Sequence, residues 1–295
     1  MSHPIVCGVD LSSGGEGVAG RTMALAAALD RRAVLVHVTR RPARQSGLPS
    51  LGRVRELRRL GALVEHLGAA GRAETELRAG DPADELLGIA RELDAELLVV
   101  GSRGLRELGS VLLGSVSSAL MRDAPCPVVV VPPGCAAPLA GIRSIVVGVD
   151  GGPRDSQLLR LAADLARRVH APLHVVHAYD AYPVALGAAP APPPPLPRLR
   201  EAAEATVDQA VAQAQVAART SVAELPAAQA LEGAAEQDGA GLIALASQGR
   251  GKLHSILHGS VTVRLAAEAP VPVLVLPPGA ELASGSGHYE LTDAA

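Results

Sequence analysis

The sequence has no phenylalanine and no tryptophan, and only three tyrosines in 295 residues. Without aromatic faces it lacks the usual device for stacking on the exposed bases of single-stranded nucleic acid. Basic charge is also scarce. The formal net charge is -3 and the pI about 6.3, whereas a chain that neutralises many phosphates is normally basic. No nucleic-acid partner is therefore expected. Cysteines number three, Cys7, Cys126 and Cys135, an odd count at no metal-ligand spacing. Cys7 and Cys126 sit in or beside apolar runs and read as buried thiols. No apolar run approaches 18 residues without Gly, Pro or charge, and no basic segment leads into a long apolar one at the N-terminus. No membrane partner and no signal peptide are expected, and the expected location is the cytoplasm.

What the chain does contain is 48% hydrophobic residues. Ala, Val and Leu must fill the interior, which suits helices packed closely on a sheet. The chain also repeats itself. Ile5-Val6-Cys7-Gly8-Val9-Asp10 returns as Ile145-Val146-Val147-Gly148-Val149-Asp150, and Leu35-Val36-His37-Val38 as Val175-Val176-His177-Ala178. Gly114-Ser115-Val116 returns as Gly259-Ser260-Val261, and the Pro-Cys-Pro-Val run from Pro125 returns as the Pro-Val-Pro-Val run from Pro270. The landmarks keep their order, and the Pro-rich stretch Pro190 to Pro197 accounts for the insertion in the second copy. That stretch reads as an exposed extended spacer.

Each copy has a βαβ rhythm. In the first, residues 5–10 form a strand, a helical pattern runs through Arg21–Ala28, and Ala33–Val38 is a strand. A helix fits 53–70, a strand Ala73–Ala79 and a helix 82–93. Strand Leu97–Val100, helix 115–122 and strand 127–131 complete the copy. Near-continuous Val/Leu strands suit a parallel sheet covered on both faces. The expected fold class is α/β: two tandem doubly wound, Rossmann-like, five-stranded parallel sheets with helices on both faces. The expected units are 1–134 and 143–279, with a polar tail over 280–295.

After the fourth strand the chain reads Gly101-Ser102-Arg103-Gly104, then, nine residues on, Gly114-Ser115-Val116-Ser117. Glycines at a strand end permit positive φ and close approach of backbone to a phosphate. Ser115 opens a helix whose free N–H groups and dipole favour an anion. Arg103 and Arg106 add positive charge.

These residues resemble the universal stress protein family in its tandem form, over roughly 4–134 and 143–279. Gly-x2-Gly-x9-Gly-Ser is similar to that family's ATP-binding signature, here followed by a Pro-Val-Pro-type final strand. The resemblance implies an adenine nucleotide α-hydrolase-like fold and ATP as ligand, with Mg²⁺ possible beside it. It implies that Asp10 and Val38 meet the adenine, and that Gly101, Arg103, Gly104, Gly114, Ser115, Val116 and Ser117 hold ribose and phosphates. In copy two it points to Asp150, Gly151, Ala178, Gly249, Gly259, Ser260, Val261 and Thr262. It further implies pairing of two such units along their final strands, within the chain and again in a homodimer. It implies an ATP-dependent stress regulator acting through an unidentified signalling partner.

Copy two departs at Ala246, which replaces the first glycine. If that position needs positive φ, Ala costs about 1–2 kcal/mol, roughly 5- to 30-fold in affinity; if φ is negative, little is lost. Copy two is expected to bind more weakly or not at all, and binding at both sites remains open.

Other constellations read more plainly. His254 and His258 have metal-ligand spacing on a helix but no third ligand, so no metal site is expected. His37, His174 and His177 read as satisfied core histidines, and the basic helix around Arg53, Arg55, Arg58 and Arg59 as a solvated face. Ser12-Ser13-Gly14-Gly15-Glu16-Gly17 is similar to the pyrophosphate loop of adenylating enzymes, but Gly17 and Val18 replace its Asp-Ser pair. No nucleophile sits beside a general base and no acidic cluster suits catalytic Mg²⁺. Binding is therefore expected rather than turnover, and the chain is not expected to be an enzyme. Slow ATP hydrolysis, an adenylating enzyme and a scaffold without nucleotide stand as the rival readings.

Overall fold

The computed structural model describes residues 3–39, 51–68, 73–102, 113–135, 141–179, 196–247 and 260–280. The first copy gives strands β1 (Ile5–Gly8), β2 (Ala33–Thr39), β3 (Ala73–Ala79), β4 (Leu97–Gly101) and β5 (Val128–Val131). Its helices are α1 (Ser13–Ala28), α2 (Leu51–His66), α3 (Pro82–Glu92) and α4 (Ser115–Asp123). The second copy repeats the order with β6 (Ile145–Gly148), α5 (Asp155–Arg168), β7 (Leu173–Ala178), α6 (Leu196–Ala214) and β8 (Arg219–Ala223). It ends with α7 (Ala227–Asp238), β9 (Leu242–Ala246), α8 (Ser260–Glu268) and β10 (Val273–Leu276). The sequence pattern thus found every strand of the first copy to within two residues at either end. Helix α1 starts well before the expected Arg21, because Ser12 caps it and accepts from Gly15 N at 3.1 Å. The last two residues of the Pro-rich stretch open α6, where a proline in the first turn costs no hydrogen bond; residues 190–195 lie outside the described residues.

All ten strands form one sheet in the order β3-β2-β1-β4-β5-β10-β9-β6-β7-β8. Every pairing is parallel except the central one. There β5 meets β10 antiparallel, with Val130 opposite Val273, Val129 opposite Leu274 and Val128 opposite Val275. The two copies therefore join through their final strands inside one chain. The Val-rich edges that would otherwise be open to other chains are consumed by each other. The outer edges, β3 and β8, are the most exposed strands. β3 carries Glu74, Glu76 and Arg78, with Arg32–Glu74 and Arg78–Glu76 ion pairs beside it.

Helices cover both faces. One core layer joins α1, α2, α5 and α6 to the sheet, and the other joins α3, α4, α7 and α8. Lacking aromatics, these layers are filled by Ala, Val, Leu and Ile; Ala19, Ala162 and Ala266 are fully buried and let helix backbones approach the strands. Cys7 and Cys126 lie in this core, and burial pushes both thiols up to about 12. His174 is buried as well, with Nδ1 2.7 Å from Asp238 Oδ2 and Nε2 2.7 Å from Ser221 Oγ; burial lowers its pKa. His37 and His177 each place Nδ1 2.8 Å from the carbonyl of Val9 or Val149. Ala280, the first residue of the expected polar tail, is buried against the core.

In each copy the chain runs outward from its first strand and returns to the other side of it. That places a topological switch between β1 and β4, and another between β6 and β9. Ligands of such sheets sit outside the carboxyl ends of the strands at this point.

Candidate functional site

At the first switch point the structure has a cavity of about 520 Å³. Asp10, Val38, Gly101, Gly114, Ser115, Val116 and Ser117 all line it. Seven of the nine residues singled out in copy one therefore meet at one place. Arg103 and Gly104 lie outside the described residues.

The floor is built by strand ends. A Cβ at Gly8 would lie 2.8 Å from Leu86 Cδ1 and 3.2 Å from Val100 Cγ1, so those side chains would have to shift to admit it. The chain then turns through Leu11, whose φ of 57° is left-handed. Arg59 of α2 donates to the Leu11 carbonyl at 2.7 Å. So the basic helix is not wholly a solvated face: Arg59 and, at 3.5 Å from the Leu77 carbonyl, Arg53 reach backbone groups. Asp10 Oδ1 accepts from Ser12 N at 3.0 Å and from Ser12 Oγ at 2.6 Å. A Cβ at position 15 would overlap the Asp10 carboxylate, which would have to shift to admit it.

The other wall is the start of α4. Gly114 is its N-cap and supplies no side-chain hydrogen bond to the first turn. Ser115 is exposed at the first helical position. The first-turn N–H groups are the ones a helix leaves without internal partners, and they carry the positive end of the dipole. Ser117 is buried and its hydroxyl donates to the carbonyls of Gly114 (2.9 Å) and Ser102 (3.1 Å). It fastens α4 to the end of β4. Ser102 Oγ, also buried on this lining, has no partner among the described residues.

Of the two reasons expected for the glycines, positive φ and close approach, the first does not hold at Gly101 and Gly114. Gly101 pairs with Val131 as the last residue of β4, and Gly114 has φ −65°, so neither uses a positive φ. What they offer is the absence of a side chain beside the cavity. The same holds at Ala246, which ends β9 opposite Leu276 and is not among the positive-φ residues. Of the two cases weighed for Ala246, the structure therefore has the one without backbone strain.

Several lining residues were not anticipated as ligand contacts: Gly14, Gly15, Gly17, Arg21, Pro82 and Cys135 among them. The glycine run after Ser12 was the visible signal, read only as a failed pyrophosphate loop. Arg21 donates to the carbonyls of Gly17, at 3.1 Å, and Cys135, fixing the turn that follows β5 against α1.

In copy two, Asp150 and Gly151 occupy the corresponding turn, and Ala178 ends β7. Ser260, Val261 and Thr262 open α8, with Thr262 buried like Ser117. Gly249, Gly259, His254 and His258 lie outside the described residues. Asp150 Oδ1 accepts from Gly152 N at 2.9 Å, and Asp155 Oδ2 accepts from Gly151 N at 2.8 Å. Burial, with the Asp150 charge nearby, raises the Asp155 carboxyl from 3.8 to about 6. Among the described residues no group of three His, Cys, Asp or Glu could hold a metal, and no helix is long and apolar enough to cross a membrane.

The comparisons with known proteins agree with this architecture. The model of the universal stress protein family matches residues 1–132 and 141–277. A universal stress protein of Mycolicibacterium smegmatis is 32% identical over 212 residues, 70% of this chain and 69% of that protein. One from Mycobacterium tuberculosis is 32% identical over 209 residues, 68% of each. The crystal structure of a universal stress protein from Archaeoglobus fulgidus shares the fold with a TM-score of 0.67, over 93% of this chain and 98% of that one, at 18% identity. With both copies matched and the tandem architecture in place, the chain belongs to the universal stress protein family.

Proposed function

We propose that this protein is a nucleotide-dependent stress regulator whose first copy holds ATP or a related adenine nucleotide, with binding rather than turnover as its activity. The observation that carries the reading is the 520 Å³ cavity at the first switch point. It joins an apolar end, lined by Val38, Pro82 and Leu86 with Asp10 at its rim, to the uncapped N-terminus of α4. The apolar end suits a purine and the helix start suits phosphates. Mg²⁺ would accompany the phosphates rather than bind the protein on its own. Three buried free thiols suit a reducing compartment, so the proposed place of action is the cytoplasm. A homodimer would need a surface other than β5 and β10, which already pair with each other. Occupancy would then be read by a signalling protein through the loops around the cavity.

Native mass spectrometry of the purified chain, with identification of the released small molecule, tests this. The expected result is a stoichiometric, unhydrolysed adenine nucleotide, lost in Val38→Trp while the unliganded melting temperature is kept. A hundredfold excess of ATP over its Kd adds about 2.7 kcal/mol, a thermal shift of several degrees. No shift with ATP, ADP or AMP contradicts the reading, and many turnovers of labelled ATP would make the protein an enzyme.

A further inference from the structure

Three glycines at the start of α1 that line the cavity in copy one are not glycines in copy two. At the repeat offset of 140, Gly14, Gly15 and Gly17 correspond to Arg154, Asp155 and Gln157. The side chains that appear there are not loose. Arg154 Nη1 donates to the Leu276 carbonyl at 3.2 Å, and its Nη2 donates to Gln157 Oε1 at 3.2 Å. Gln157 Nε2 donates to the Ala280 carbonyl at 3.1 Å. Leu276 and Ala280 are the counterparts of Val131 and Cys135, which line the cavity of copy one. The two side chains thus bridge α5 to the end of β10 across the space that copy one leaves open between α1 and the end of β5.

Copy one makes the same tether differently. The Cys135 carbonyl, equivalent to that of Ala280, is held by Arg21, one helical turn further along α1. Moving the anchor from the position of Gln157 to that of Arg21 leaves residues 14, 15 and 17 bare. Asp155 is 5% exposed and accepts from the Gly151 N–H, so it is spent on its own turn.

We infer that the chain holds a single nucleotide, in its first copy, and that Arg154 and Gln157 close the matching cleft of the second. This rests on the nucleotide reading above. It also moves the cause of asymmetry away from Ala246, whose backbone is ordinary strand.

Calorimetric titration of the full chain with Mg-ATP tests it. The wild type is expected to take one ATP per chain, and Arg154→Gly/Gln157→Gly two. Ala246→Gly alone is expected to leave the count at one. In the reverse transplant, Gly14→Arg/Gly17→Gln, a Cβ at 14 meets Ser12 Oγ at an ordinary 3.5 Å, and one at 17 lies 3.2 Å from Arg21 Nη1, the end of a flexible side chain that must give slightly. The transplant is expected to weaken ATP at least tenfold, which keeps a readout if the opened variant fails to fold. Two ATP per wild-type chain would overturn the closure while leaving the nucleotide reading intact. So would a folded Arg154→Gly/Gln157→Gly chain that still takes one, or Gly14→Arg/Gly17→Gln binding as the wild type does. No ATP at all would overturn both.

Discussion

The two copies share strand order, register and even the carbonyl that each tethers after its last strand, yet they solve that tether with residues one helical turn apart. In copy one Arg21 reaches Cys135 and the start of α1 stays bare; in copy two Gln157 reaches Ala280 and Arg154 lies alongside it. The difference teaches that two copies of one fold can keep strand order and register and still diverge outside the signature loop. What changes is the helix facing that loop.

The largest effect that sharpens this comparison is at Asp155. Its carboxyl is raised from 3.8 to about 6 by burial and by Asp150. A raised folded-state value means the folded chain holds the proton more tightly than the unfolded chain. The associated stability is present in full below pH 3.8 and is lost as pH rises through 6. At pH 7 the ionised group is therefore a burden on the order of 1–3 kcal/mol. Asp155→Asn keeps an acceptor for Gly151 N. It is expected to be more stable than wild type by that amount at pH 7, with the gap closing below pH 4. Denaturant titrations at both pH values check this, and a gap that stays constant with pH would contradict it.

A smaller effect compares the ends of α3 and α7. Gly239 ends α7 with φ 56°, whereas copy one places Asp94 at the same point with φ 49°. Gly239→Ala puts a Cβ into left-handed backbone and is expected to cost about 1–2 kcal/mol. Asp94→Gly is expected to change stability by less than about 1 kcal/mol, since Asp tolerates that region and its side chain pairs with His3 at 3.0 Å. Melting temperatures of the two variants decide the ordering.

Much of this was legible in the sequence. The Val and Leu runs placed the strands because both sheet faces are covered, so burial leaves no polar alternation to blur them. The duplicated Asp and Gly-Ser landmarks located the cavity, since they stand at strand ends beside the switch. The pairing of β5 with β10 was expected from the family resemblance, and it covers two Val-rich edges. Two things were not legible. The φ at Ala246 depends on strand pairing with Leu276, which no glycine pattern reveals. The replacement of Gly14, Gly15 and Gly17 by Arg154, Asp155 and Gln157 was visible as letters. Its meaning required knowing that α1 and α5 face the turns after β5 and β10 across the ligand space.

The most direct test of the account is photo-crosslinking with 8-azido-ATP, followed by peptide mapping of the labelled chain. The account predicts label confined to peptides of the first copy, around Val38 and Pro82–Leu86, and competed away by ATP. Label shared equally with residues 143–279, or no competable label in either copy, would contradict it.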